Sequence, residues 1–479
     1  MEKGKKLFTG TMLVGISAAF GKLISLCFLP FFTSALSPAE LGVTEIFISI
    51  SVLLAPLFSF YAPQATFRFL AKGERGAIRS GALLLGIGAL LLACLIPLFG
   101  RFETLRPYRL LLYFYVCASL ARSFLSHILR ARGRFGVFAL QQGFCTLLTV
   151  LLQVLLLRLK LPSVTGYLLG ILLGDAITFA ILLCCFFPYL EKGESFAVSL
   201  FGKMLRYAIP LMPTALLWWG MGAIEKYFLL YYHGEGAMGL YAVAGRFPAL
   251  IGFAAGVFLE VWHYAALQGD EGEGALFGRI YALFLPLMIS AGVAVSLVTP
   301  ILITRALASE YAEAVHAVGM LCAGAVCAGL ASFLDSIYSL RLCTISSMLS
   351  VLGSAVVNLI LSLLLIPRLG MVGAAVAGAL SFAFLFFFRL LDTARLLGFA
   401  RHAKRSAAAL LLLFLSGALI AGGYCALAVI AALISLLPVL ELLWNALLFF
   451  LEQTMAFLSY IGKNRDLTAQ TKKDRHRDR

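Results

Sequence analysis

The sequence predicts an all-α polytopic membrane protein with about 14 transmembrane helices, arranged as two parallel-repeat six-helix bundles plus a C-terminal helix pair. Of the 479 residues, 62% are hydrophobic and only 13% are charged, whereas about a quarter of the residues of a soluble domain are charged. Apolar runs of about 20 residues recur along the chain, and each can cross about 30 Å of hydrocarbon as a helix. Backbone exposed to lipid must satisfy its own hydrogen bonds, so these runs are predicted to be helices. An internal repeat predicts how they are grouped.

The apolar runs define the predicted spans in order. They cover residues 10–33, 41–64, 80–99, 108–128, 137–157, 166–189, 207–232, 238–261, 279–300, 315–340, 345–366, 370–390, 406–424 and 426–450. The last two are the least separated, because only AGGY at 421–424 interrupts the apolar sequence there. The first run continues past Lys22 without a small-residue cleavage site, so it is predicted to be a span rather than a cleaved signal peptide.

Two pairs of segments resemble each other at similar distances along the chain. Segment 34–57 resembles 231–254, and segment 166–183 resembles 370–387. The first pair aligns Gly42 with Gly239, and both pairs place a turn just before an even-numbered span. Repeated halves of membrane proteins commonly meet at a central substrate path, which favours a transporter.

The repeat and the loops predict the domain organisation. It consists of an N-terminal six-helix bundle (1–190), a cytoplasmic linker (191–206), a C-terminal six-helix bundle (207–390), two peripheral helices (391–462), the second less secure, and a disordered basic tail (463–479). With both termini inside, the cytoplasmic segments carry most of the 38 Lys and Arg residues. The positive-inside rule therefore predicts cytoplasmic termini, and it accounts for the net charge of +15 without a nucleic-acid partner.

A small set of charged residues remains inside the predicted spans. They are Lys22, Arg122, Lys226 and Arg246 among the bases, and Glu45, Asp175, Glu225, Glu260 and Asp335 among the acids. An ionised side chain at mid-bilayer costs at least about 2.5 kcal/mol on insertion scales, so each is expected to face a cavity or a partner. The histidines show no metal-ligand spacing, and neither a metal nor a cofactor is predicted.

Three stretches of the sequence resemble one known family. They are LSPAELGVTEIFISISVLLAPLFSFYAPQATFRFL (36–70), GAIEKYFLLYYHGEGAMGLYAVAGRFPALI (222–251) and SSMLSVLGSAVVNLILSLLLIPRLGMVGAAVAGALSF (346–382). Together they resemble the polysaccharide exporters of the multidrug/oligosaccharidyl-lipid/polysaccharide flippase superfamily, the Wzx-type flippases. That family commonly has Asp and Arg where this chain has Glu225 and Lys226, a conservative departure.

The resemblance implies a fold and a function. The fold would be two six-helix bundles opening as a V with two peripheral helices. The activity would be movement of an oligosaccharide on undecaprenyl diphosphate from the inner to the outer leaflet of the bacterial plasma membrane, for cell-surface polysaccharide biosynthesis. The bases predicted inside the spans are consistent with this activity, because a diphosphate crossing hydrocarbon needs a polar, cationic lumen.

The candidate substrate-binding cations are Lys22, Lys226, Arg246 and Arg68. Lys22 either binds the head group or pairs with a neighbouring helix, and Arg246 either pairs with Glu225 or lines the lumen. Arg68 is either a topology charge or a contact where the head group enters. Of the adjacent pair, Lys226 is predicted to face the lumen, because neighbouring helical positions point about 100° apart.

The acids and the remaining base have alternative interpretations too. Glu45 and Asp175 either couple transport to H⁺ or Na⁺ or act as counter-ions to Lys22, and Glu225 belongs to the same class of coupling or counter-ion acids. Arg122, near the inner end of its span, is predicted to extend its charge to the cytoplasmic surface.

Two rival functions fit the composition. A cation-coupled drug or small-molecule antiporter of the same superfamily relies on acids in the lumen, whereas here bases occupy the central spans as well. A polyprenyl-linked membrane glycosyltransferase or polymerase needs a large outer loop or an acidic catalytic motif at a membrane edge, and the sequence has neither. No catalytic residues are therefore predicted.

Overall fold

The computed structural model describes residues 15, 17, 19–159, 161–186, 198–209, 211–266, 273–341, 343–397, 403–442 and 444. All regular elements within these ranges are helices, which confirms the predicted fold class. The first half contains α1 (19–27), α2 (Leu29–Ala35), α3 (Pro38–Ser59), α4 (Ala62–Ala71), α5 (Ala77–Cys94), α6 (Ile96–Phe99), α7 (Arg109–Ala131), α8 (Phe135–Arg158) and α9 (Ser163–Phe186).

The helix α10 (Val198–Ala208) leads into the second half. There follow α11 (Leu211–Arg246), α12 (Ala249–Ala266), α13 (Glu273–Ala306), α14 (Val315–Arg341), α15 (Thr344–Leu397), α16 (Ala403–Ala421) and α17 (Cys425–Ile434). Among the described residues, eight helices are long and apolar enough to cross a membrane, or nine if the bent pair of α11 and α12 is one span. The number fourteen stays a prediction.

Two long helices are broken at glycines where one predicted span ends and the next begins. α11 breaks at Gly234, with φ 80°, and α15 breaks at Gly370, with φ 54°. These left-handed values favour glycine, which has no Cβ to clash with the backbone. The two breaks lie close together, since the imidazole Nε2 of His233 is 2.8 Å from the carbonyl oxygen of Ile366. Each break therefore reverses the chain where the hydropathy pattern places a turn.

The second predicted span is longer and more irregular than its hydropathy indicates. α3 ends at Ser59, and Phe60 and Tyr61 both take left-handed conformations before α4 continues to Ala71. Such backbone costs about 1–3 kcal/mol for each non-glycine residue. Pro63 then lies in the first turn of α4, where its missing N–H is not needed.

The start of α3 is fixed by a capping box. The Ser37 hydroxyl accepts a hydrogen bond from the Glu40 backbone N–H, and the Glu40 carboxylate accepts one from the Ser37 N–H at 2.9 Å. Pro38 occupies the first helical position, for which its fixed φ is suited. These contacts satisfy N–H groups that a helix terminus otherwise leaves unpaired.

The two glycines that align in the sequence repeat lie against each other in the structure. A Cβ on Gly42 would collide with the carbonyl oxygen of Glu235, and a Cβ on Gly239 would collide with the carbonyl oxygen of Pro38. Pro38 and Glu235 each precede their glycine by four residues, so the contact is reciprocal. α3 and the second arm of α11 (235–246) therefore meet backbone to backbone through equivalent positions.

Further reciprocal contacts surround this glycine pair. The Thr104 hydroxyl, before α7 in the first half, donates to the Glu235 carboxylate at 2.7 Å. The Tyr311 hydroxyl, before α14 in the second half, donates to the Leu36 carbonyl at 2.8 Å. Turns that the sequence places on one side of the membrane are thus gathered at one end of the molecule, which we call the glycine end.

The largest apolar core surrounds α14 in the second half. Trp262 stacks on Phe333 with ring centroids 5.4 Å apart, and Phe284 stacks on the same ring at 5.4 Å. α16 approaches α14 closely because Gly319 and Gly417 face each other. α14 is therefore enclosed by α12, α13, α15 and α16.

Candidate functional site

A cavity of about 700 Å³ lies between the two halves, next to the glycine end. Helices α1, α3 and α9 line it from the first half, and α11, α12, α14 and α15 line it from the second. Its charged lining residues are Lys22, Glu45, Glu225, Lys226 and Arg246. We call this the central cavity.

An ion pair joins the two halves across the central cavity. Lys226 Nζ on α11 lies 2.5 Å from Glu45 Oε1 on α3, and the two side chains are 25% and 17% exposed. Trp219 Nε1, two turns before Lys226, donates to the Ser49 carbonyl at 2.9 Å. Pairing lowers the cost of holding both charges away from bulk water. The Glu45–Lys226 pair lies one turn from Gly42 along α3.

Glu225 lies on the side of α11 that faces α15, away from the Glu45–Lys226 pair. Its side chain is buried, and its carboxylate accepts a 2.7 Å hydrogen bond from Asn358 Nδ2 on α15. The same nitrogen lies 3.0 Å from Ser381 Oγ, and Asn358 Oδ1 accepts from Ser362. Among the described residues no base forms an ion pair with Glu225. The carboxylate is therefore held at the cavity wall by a network of neutral polar side chains.

Arg246 does not pair with Glu225, contrary to one interpretation of the sequence. Its neighbours in the lining of the cavity include Tyr167 on α9 and Glu45 on α3, both in the first half. It lines the central cavity, as the other interpretation expected. The reason is the direction of the side chains, because Glu225 faces α15 whereas Arg246 faces the first half.

Lys22 lines the central cavity and has no ion-pair partner in the part of the chain that the structure describes. The expectation that Asp175 is its counter-ion is wrong, because Asp175 Oδ1 lies 2.7 Å from Arg122 Nε. Arg122 consequently does not extend to the surface, and its Nη1 also donates to Gln142 Oε1 at 2.8 Å. Asp175 therefore lies in a separate pair inside the first half.

Arg68 lies apart from the other three candidate cations. It occupies the last turn of α4, and its guanidinium carbon lies 4.4 Å from the centre of the Tyr207 ring on α10. It is not among the lining residues of the central cavity. The structure thus brings together Lys22, Lys226 and Arg246 but not Arg68.

Sequence reasoning missed two polar residues of the second half. Asn358, the partner of Glu225, stands in the apolar stretch NLILSLLLIP, where a polar side chain inside a span was an available signal. Arg389, at the end of the predicted span 370–390, was not among the charges assigned to the membrane interior, but it is buried inside α15 with its Nη2 2.9 Å from Asp335 Oδ1. Its position next to the end of an apolar run concealed its burial.

The central cavity carries an excess of positive charge. Three bases line it against two acids, and one of those acids is paired with Lys226. Ammonium and guanidinium groups bind phosphate oxygens through short, charge-assisted hydrogen bonds. The arrangement can therefore hold a small anionic group between the two halves.

A charged cavity enclosed by apolar helices is typical of a multi-pass membrane transporter. The family model described as polysaccharide biosynthesis protein matches residues 7–259, more than half of the sequence. The chain therefore belongs to the polysaccharide biosynthesis protein family, and the predicted superfamily is confirmed. No curated protein sequence is significantly similar to the chain.

Solved structures share the fold at low sequence identity. The lipid II flippase MurJ in an inward closed conformation is 15% identical with a TM-score of 0.64, covering 91% of this chain and 100% of that one. A point mutant of the Vibrio cholerae MATE transporter VcmN is 15% identical with a TM-score of 0.56, covering 82% and 97%. An outward-facing MATE family transporter of the MOP superfamily is 16% identical with a TM-score of 0.55, covering 82% and 96%.

Proposed function

We propose that this protein is a flippase for an oligosaccharide linked to undecaprenyl diphosphate. It moves this lipid across the bacterial plasma membrane by alternating access and supplies cell-surface polysaccharide biosynthesis. It acts as a transporter rather than an enzyme. The observation that carries the proposal is the central cavity, where Lys22, Lys226 and Arg246 meet between the halves of an otherwise apolar protein.

The substrate is matched to the cavity by charge and by its two-part chemistry. The diphosphate binds the three bases, with Arg246 contributing a bidentate guanidinium. The polyprenyl chain remains in the lipid, because its transfer into a charged cavity would remove apolar surface from an apolar solvent. The family membership and the MurJ-like fold support a lipid-linked substrate.

Alternating access follows from two bundles that rock about the cavity. The bundles are residues 1–190 and 207–390, joined by the linker 191–206, with both termini in the cytoplasm. In this orientation the glycine end faces outward, and the Gly42–Gly239 contact closes the outer side. The peripheral helices (391–462) and the basic tail (463–479) complete the proposed organisation.

Coupling to H⁺ or Na⁺ is assigned to the acids of the cavity. Glu225 is the best placed, because its carboxylate accepts a hydrogen bond from the neutral Asn358 amide rather than from a base. Glu45 and Asp175 already have Lys226 and Arg122 as counter-ions. A cation or proton at Glu225 would raise the positive charge facing the diphosphate.

A cation-coupled drug antiporter is the second candidate. The presence of Glu45 and Glu225 in the central cavity favours it, since carboxylates attract cationic drugs. The two functions differ in the charge of the substrate, so they differ in their dependence on the bases.

Replacement of Lys22 or Arg246 by Ala tests the proposal. Each change removes a diphosphate contact, so surface polysaccharide should fall more than tenfold in cells that carry only the variant. Arg305→Ala, at the end of α13 outside the cavity, is the control. Full polysaccharide from both cavity variants at normal membrane levels would contradict the flippase, and drug resistance that survives them would favour the antiporter.

A further inference from the structure

A second, smaller cavity of about 320 Å³ adjoins the central cavity in the first half. It lies between α1 and α8, and Lys22 and Ser25 line both cavities. Its other polar lining residues are Ser17, Gln142 and Thr146. We call it the side pocket. Its volume is within the range of about 300–1,000 Å³ typical of small-molecule sites.

The hydroxyl groups of the side pocket are available as acceptors. Each hydroxyl donates to a backbone carbonyl: Ser17 to that of Ala139 at 2.5 Å, Ser25 to that of Gly21 at 3.0 Å, and Thr146 to that of Gln142 at 3.1 Å. A hydroxyl has one proton and two lone pairs, so each oxygen can still accept a hydrogen bond from a ligand.

The amide of Gln142 supplies the complementary donor. Its Oε1 accepts from Arg122 Nη1 at 2.8 Å, which turns Nε2 away from Arg122. Among the described residues Nε2 has no acceptor, so its two N–H groups remain available. Arg122 itself is neutralised by Asp175 and adds no net charge to the pocket. Arg122 is thus a positioning residue for the Gln142 amide.

The composition of the side pocket is suited to a neutral polyhydroxyl group. Hydroxyl acceptors and amide donors line it together with one base, and none of the described residues that line it is a carboxylate. Sugars present both donors and acceptors around a ring, so they are complementary to such a lining. An apolar drug would leave these polar groups without partners, which costs binding free energy.

We propose that the side pocket binds the sugar attached directly to the diphosphate, and that Gln142 and Thr146 determine which sugar is accepted. This inference rests on the proposed flippase function. Lys22 provides the connection, because a diphosphate held by Lys22 in the central cavity places its first sugar at the entrance of the side pocket. Recognition there selects the glycan by its first residue and not by its full length.

The test compares lipid affinities of the purified full-length protein in lipid nanodiscs. The probes are undecaprenyl diphosphate alone and undecaprenyl diphosphate carrying one glucose, galactose or N-acetylglucosamine. For the wild type, at least one sugar should raise the affinity about tenfold over the bare lipid. Thr146→Val and Gln142→Met should each reduce that ratio about three- to tenfold, since each removes one neutral hydrogen bond.

Thr304→Val is the matched control. Thr304 on α13 is an exposed threonine whose hydroxyl also bonds to the carbonyl four residues earlier, at 2.9 Å, and it lies outside both cavities. Its variant should keep the wild-type ratio. The thermal midpoint of each pocket variant shows whether that variant is folded. If one of the two misfolds, the affinity ratio of the other decides the test.

The outcomes separate this inference from the flippase proposal. A ratio that persists in both pocket variants, or a wild type for which none of the three sugars exceeds the bare lipid, overturns the sugar pocket. Binding of bare undecaprenyl diphosphate that is absent, or unchanged by Lys22→Ala, overturns the flippase proposal instead. A ratio that falls in both variants while Thr304→Val keeps it supports the pocket.

Discussion

Glu225 and Lys226 are adjacent in sequence and bind partners on opposite sides of one helix. Lys226 reaches Glu45 on α3 of the first half, and Glu225 reaches Asn358 on α15 of the second half. The helical rotation of about 100° per residue separates the two directions. One residue therefore connects the halves and the other remains within its own half.

The Glu45–Lys226 pair predicts a specific pattern in a double-mutant cycle. Lys226→Met alone leaves Glu45 charged without its partner, so the thermal midpoint of the purified protein should fall. The double variant Glu45→Gln/Lys226→Met should recover most of the loss, with a coupling energy of about 1–3 kcal/mol. Additive losses in the cycle would mean that the pair contributes nothing to stability.

The position of Glu225 predicts that its carboxylate couples transport to H⁺ or Na⁺. Glu225→Gln keeps the size of the side chain and a hydrogen bond to Asn358 but removes the titratable charge. Transport by this variant should therefore lose its dependence on pH or Na⁺. Glu441→Gln, an exposed acid paired with Arg405, should keep the wild-type dependence. A dependence retained by Glu225→Gln would move coupling to another residue.

Among the helices, α3 and α11 bring the two halves together backbone to backbone. The sequence repeat aligned Gly42 with Gly239, and the structure places these residues against each other's helix backbone. The end of the second span was not predictable in the same way. Hydropathy does not record the left-handed conformations of Phe60 and Tyr61, and α4 extends the helical region beyond the predicted end.

The glycine contact predicts the effect of a single methyl group. Gly42→Ala or Gly239→Ala places Cβ against a backbone carbonyl of the other half, so α3 and α11 must separate. Overpacking of this kind costs about 1–3 kcal/mol, and the thermal midpoint should fall. Gly236→Ala, whose Cβ would meet no atom within 4 Å, is the control. Equal midpoints for all three variants would contradict a tight contact.

In the whole molecule, the sequence predicts which charged residues lie inside the membrane spans but not which of them form ion pairs. Arg122 and Asp175 are 53 positions apart, and Lys226 and Glu45 are 181 apart. Such pairs depend on how the helices are rotated and which helices are neighbours, and hydropathy determines neither. The helical class and the turns near Gly234 and Gly370 were predictable, because they follow from local composition and backbone chemistry. Four candidate cations were predicted too, but not that Lys22, Lys226 and Arg246 share one cavity while Arg68 lies elsewhere.

The proposed function is the movement of a lipid-linked diphosphate across a bilayer. The most direct measurement reconstitutes the purified protein into liposomes that carry an undecaprenyl-diphosphate-linked oligosaccharide, and follows the appearance of the glycan in the opposite leaflet with an impermeant glycan-modifying reagent. We expect transfer that is faster than in protein-free liposomes and that is lost with Lys22→Ala. Transfer no faster than in protein-free liposomes, with a correctly folded protein, would contradict the proposed flippase function.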